Sequence, residues 1–146
     1  MVMERSSRQA RNPAWLNAVM PADPNHIKSV INNYIEALGQ TDADRIAALY
    51  TDDATVEDPV GTPPHVGNAA VRDFYAGMAK MADSYECALA TPINVAGNEV
   101  VFGFKIHAKV GDATMEIVPI DHMIFNDTGQ ITAMRAFWNP ADIKQV

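Results

Sequence analysis

The chain has 146 residues, 48% of them hydrophobic and 20% charged, which is enough for one domain with a real core and argues against wholesale disorder. Its formal charge of −7 makes nucleic acid or an anionic lipid surface an unsuitable main partner. A single cysteine, Cys87, leaves no intrachain disulfide, so a reducing, cytoplasmic setting is expected, and no apolar run approaches the length that spans a bilayer.

Residues 1–20 differ from the remainder. Arg5, Arg8 and Arg11 against Glu4 leave +2 there and −9 elsewhere. An arginine-rich start without an apolar stretch behind it is no secretory signal. It reads as a poorly ordered basic extension, with one domain over residues 21–146.

Asp23-Pro24 supplies an N-cap followed by proline at the first helical position. Ile27, Val30, Ile31, Tyr34, Ile35 and Leu38 then recur at helical spacing, and Gly39 is the expected stop. A short second helix follows "TDAD", with Thr41 and Asp44 as a capping pair and Ile46, Leu49 and Tyr50 turned inward. Next comes "DATVEDPVG", residues 53–61, an alternating strand. Ala54, Val56, Asp58 and Val60 share one face of it, and Asp53, Thr55 and Glu57 the other. Proline at 59 pushes Asp58 toward extended geometry, which keeps it on the strand. A third helix is predicted over about residues 68–82, burying Val71, Phe74, Tyr75 and Met78. From Ser84 onward "ECALATPINVA", "EVVFGFKIHAKV", "TMEIVPIDHMIF" and "ITAMRAFW" read as strands, separated by "GN", "GD" and "DTG". Helices followed by a meander predict an α+β fold, with helices on one face of a curved, mainly antiparallel sheet and a cavity at the mouth of the cone.

Three polar groups fall on apolar faces. Asp58 has Val56 and Val60 for company. Asp121 alternates with Ile117, Pro119, Met123 and Phe125, while His122 points the opposite way. Tyr34 interrupts the first helix's stripe, and Tyr50 and Tyr75 lie on the next two inward stripes, so a phenol cluster is possible. A lone strand aspartate is more often a rim group, and a lone helix tyrosine ordinary core. Together the three would carry a desolvation cost of roughly 1–3 kcal/mol per unsatisfied group unless they had a task. An acid in such surroundings is driven toward its neutral form, which donates a hydrogen bond. The four histidines lack metal-ligand spacing, and neither a nucleophile elbow nor a phosphate loop is present, so no metal or cofactor is expected.

"NNYIEAL", "LYTDDATVEDPVG", "AAVRDFYA", "PIDHMIF" and "MRAFW", in this order, strongly resemble the bacterial ketosteroid isomerases (steroid Δ5-isomerases) of the NTF2-like, SnoaL-like superfamily. The resemblance runs from about residue 21 to 143 and implies a cone-shaped fold and a steroid Δ-isomerase acting without cofactor, usually as a homodimer. By position it makes Asp58 the base that moves the proton, and Tyr34 and Asp121 the two donors to the dienolate oxygen. Tyr50 and Tyr75 would support Tyr34, and Val56, Phe74, Met123 and Trp138 would line the steroid slot. An acid kept neutral in an oxyanion hole is a property for which this family is itself the standard illustration. Met123 departs from it, standing where an aromatic is expected. Two other functions remain open at this point: a polyketide-cyclase type of enzyme using the same enolisation, and a steroid- or lipid-binding module without turnover. Asp121 favours the isomerase, since a cyclase would keep the base and change the second donor.

Overall fold

A computed structural model describes residues 22–146; the basic extension lies outside the described residues. Helix α1, Pro24–Gly39, starts where the capping signal places it, with Asp23 accepting from the Asn25 amide. Its stripe of Ile27, Val30, Ile31, Tyr34, Ile35 and Leu38 is buried. Gly39 is still helical, and the left-handed residue beyond it is Thr41, at φ 55°. Helix α2, Ala43–Ala47, is one turn capped by Asp42, not by Thr41 and Asp44, and Tyr50 falls outside it. Helix α3, Asn68–Ala79, stops three residues short of its expected end.

Nine strands form one mixed, mostly antiparallel sheet: β1 Tyr50–Glu57, β2 His65–Val66, β3 Ser84–Leu89, β4 Asn94–Ala96, β5 Glu99–Val110, β6 Ala113–Ile117, β7 Ile120–Phe125, β8 Ile131–Phe137 and β9 Lys144–Gln145. The order is β2-β1-β8-β7-β5-β6-β9, and β3 and β4 also pair with β5. The N-terminal strand β1 runs parallel to β8, a non-local pairing no hairpin signal announces. Two expected strands are each divided. "ECALATPINVA" breaks into β3 and β4, and "TMEIVPIDHMIF" breaks at Val118-Pro119, where proline has no amide to donate.

Strand β5 is the spine. Its first half pairs with β4 and β7, its second half with β3 and β6, and the exchange occurs at Gly103–Phe104. A Cβ on Gly103 would stand 2.8 Å from the Thr91 methyl, and the Gly103 amide donates to Thr91 Oγ1 at 2.7 Å. Only glycine admits that approach, so the sheet turns here and the two halves curl toward the helices. Alternate residues Val100, Phe102 and Phe104 on β5, Met123 and Phe125 on β7, and Met134 and Ala136 on β8 pack against α1 as the core.

Candidate active site

Glu57 and Asp58 face opposite ways, as alternation requires. Glu57 Oε2 accepts from Arg135 of the neighbouring parallel strand at 3.0 Å, and its Oε1 accepts from the Gly61 amide at 3.0 Å. Asp58 turns inward. It lies one residue past the end of β1, where the chain has begun its turn, and not on the strand as expected. The Val60 amide donates to Ala136 O at 2.8 Å and pins that turn to β8. Trp138, just beyond β8, donates from its indole Nε1 to Asp58 Oδ1 at 2.6 Å.

The phenol cluster is present and extends further. The hydroxyls of Tyr50 and Tyr75 are 2.8 Å apart, and those of Tyr75 and Tyr34 are 3.1 Å apart. Tyr34 then donates to Asp121 Oδ2 at 3.3 Å. One chain of hydrogen bonds thus joins α1, α3, β1 and β7. All four residues are buried, and Asp121 is 1% exposed. No described buried side-chain oxygen or nitrogen lacks a partner. Tyr34 is also held edge-on by Phe102 and Phe104, with ring centroids 6.2 and 6.5 Å away.

Burial dominates the electrostatics. Loss of hydration raises the Asp121 carboxyl well above the usual aspartate range, the charge of Asp58 raises it further, and the Tyr34 hydrogen bond opposes both. Burial also raises Asp58, against the Trp138 hydrogen bond and the nearby His65. Of the two, Asp58 is the more accessible and has an indole donor for its anion. It takes the negative charge, and Asp121 keeps its proton. The phenols Tyr34, Tyr50 and Tyr75 are all pushed upward by burial and remain neutral.

A cavity of about 780 Å³ opens beside these groups, its inner wall formed by Tyr34, Asp58, Phe74, Tyr75, Phe104 and Trp138. Of the expected slot residues, Phe74 and Trp138 stand on this wall. Val56 and Met123 do not: both are fully buried in the core, because their strands present them to α1 and not to the opening. Asp121 is likewise off the wall and connects to it through Tyr34. Overlooked in the sequence was the stripe Phe104, Ile106, Ala108 and Val110 of β5, which lines the outer cavity with Met115 and Ile117 of β6. Its period of two was legible in "FKIHAKV". His122 turns outward and contacts Glu99 at 2.7 Å, away from the site.

A family model for the SnoaL-like domain matches residues 31–134. The chain belongs to the SnoaL-like family. This SnoaL-like protein is 41% identical over 117 residues to the steroid Delta-isomerase of Nocardioides simplex, a match covering 80% of this chain and 93% of that one. Among solved structures it is similar to SalBIII, an epoxide hydrolase/cyclase-like enzyme of pyran ring formation in salinomycin, with a TM-score of 0.74. That match covers 85% of this chain and 98% of SalBIII at 23% identity, a likeness of fold alone.

Proposed function

We propose that this protein is a cofactor-independent steroid Δ-isomerase, which moves a carbon–carbon double bond of a 3-oxo-Δ5-steroid into conjugation with the ketone. The observation that carries the reading is one apolar cavity bearing an ionisable base, Asp58, together with the buried Tyr34–Asp121 pair of neutral OH groups. Removing a proton from the carbon beside a ketone places negative charge on the ketone oxygen. Tyr34 and Asp121 donate to that oxygen, and a fixed donor in a dry site is worth about 2.7–4 kcal/mol. Asp58 takes the proton and returns it to the far end of the dienolate, a contribution of about 10²- to 10⁴-fold. Trp138 steadies the Asp58 carboxylate, while Tyr75 and Tyr50 hold Tyr34 in place. The 41% identity to a steroid Delta-isomerase supports the substrate class.

The protein is further proposed to act as a homodimer in a reducing compartment. Exposed Val101, Ile120 and Phe137, adjacent on the outer face of β5, β7 and β8, are the apolar patch for a second copy. The assay is the appearance of conjugated-enone ultraviolet absorbance from androst-5-ene-3,17-dione and cholest-5-en-3-one. Absorbance from neither substrate above that of an Asp58→Asn control sinks the isomerase reading. Tight steroid binding without turnover, indifferent to Asp58→Asn, points instead to a binding module.

A further inference from the structure

The reacting groups occupy one end of the cavity, and the wall runs well beyond them. Phe104, Ile106, Ala108 and Val110 alternate along β5 and all face inward. Phe104 touches the ring of Tyr34, whereas Val110 is at the open end of the strand and 50% exposed. Six residues at about 3.3 Å each carry this stripe through about 20 Å. A four-ring steroid nucleus, with carbon–carbon bonds of about 1.5 Å, spans only about 10 Å from its 3-oxygen to its last ring. The volume agrees: 780 Å³ holds roughly 26 groups of about 30 Å³, the share of one water in the liquid, and a bare nucleus needs fewer.

The outer half of the wall is hydrocarbon. Met115 lies opposite Ala108, and Met78 and Met81 approach from α3 and the loop after it. Flexible thioethers conform to a branched or mobile chain. The polar groups nearby have other partners. The Tyr85 hydroxyl donates to Met78 O at 2.6 Å, and the Trp138 indole is engaged by Asp58. Asp73, exposed at the rim beside Arg72, would repel a carboxylate. A keto oxygen carried at the far end of the nucleus therefore finds no free donor among the described wall residues, and loses its water for nothing.

Resting on the isomerase reading, we propose that the preferred substrates are 3-oxo-Δ5-steroids bearing a hydrocarbon side chain remote from the ketone, in place of a 17-oxygen. Each methylene sheltered by Met115, Val110 and Met81 adds roughly fourfold in affinity.

Initial rates on cholest-5-en-3-one and androst-5-ene-3,17-dione, both dispersed in cyclodextrin, test this. The expected kcat/KM ratio favours the side-chain substrate by about tenfold or more, mostly through KM. Met115→Asp, or Val110→Asp should the first variant not fold, brings that ratio to one or below. Equal or better turnover of the 17-ketone by the native protein overturns the proposal and leaves the isomerase reading intact. Conversion of neither substrate defeats the isomerase reading and this proposal together.

Discussion

Asp58 has two opposing neighbours, water loss and an indole, and the balance between them sets its working pH. The free carboxylate is the active form, so kcat/KM should fall as pH drops through its pKa. Burial raises that pKa above the ordinary aspartate value of about 3.9. Trp138 pulls it down by donating to the anion. Trp138→Phe should therefore move the acid limb of the rate profile to higher pH, read from kcat/KM measured across the acid range. Asp121 bears on stability through the same physics. The folded protein holds its proton where the unfolded chain releases it, so this contribution is complete below the unfolded aspartate value. It is lost progressively as pH rises toward the elevated folded value. Asp121→Asn removes the titration, and its thermal midpoint should depend less on pH than that of the native protein between about pH 4 and neutrality.

At the scale of elements, three phenols stitch two helices to the sheet. Tyr75 of α3 stands between Tyr50 of β1 and Tyr34 of α1, and both of its bonds are buried. Tyr75→Phe deletes the middle link and leaves a neighbouring hydroxyl short of a partner, at a cost of about 1–3 kcal/mol. Chemical denaturation should show this as a lower midpoint with an unchanged slope. Turnover should fall as well, since Tyr34 loses one of its two restraints. Asn68 serves a related structural purpose. Its side-chain amide donates to Ala47 O at 2.9 Å and to Tyr50 O at 3.2 Å, tying the start of α3 to the chain entering β1.

Across the whole molecule the sheet has two different faces. The inner face carries the core and the cavity. On the outer face Phe137 pairs with Ile120, with 45% and 51% of their surfaces exposed, and Arg135 lies over the Phe137 ring at 5.5 Å. Phe137→Glu should shift gel-filtration elution toward monomer size if this patch joins two copies. Elution of the native protein as a monomer at micromolar concentration counts against the dimer.

Much of this was legible one residue at a time. The α1 stripe, the inward facing of Asp121 and the inward tyrosines followed from periods of 3.6 and 2, because burial of one face is a local property of pattern. The motifs around Asp58 and Asp121 pointed to the same family that the chain proves to belong to. Periodicity stops at what lies across a gap. The pairing of β1 parallel to β8, the Trp138–Asp58 hydrogen bond and the course of the Tyr50–Tyr75–Tyr34–Asp121 chain join residues 25 to 87 positions apart. The same limit explains Val56 and Met123. Alternation places them on the inner face, but only the packing of α1 against the sheet decides that their part of that face is core and the stretch from Phe104 to Val110 is cavity wall. Which side chains are buried was written in the sequence as a repeat. Which buried surface was left open depended on how the sheet bends at Gly103, since a cavity belongs to the space between elements and to none of them alone.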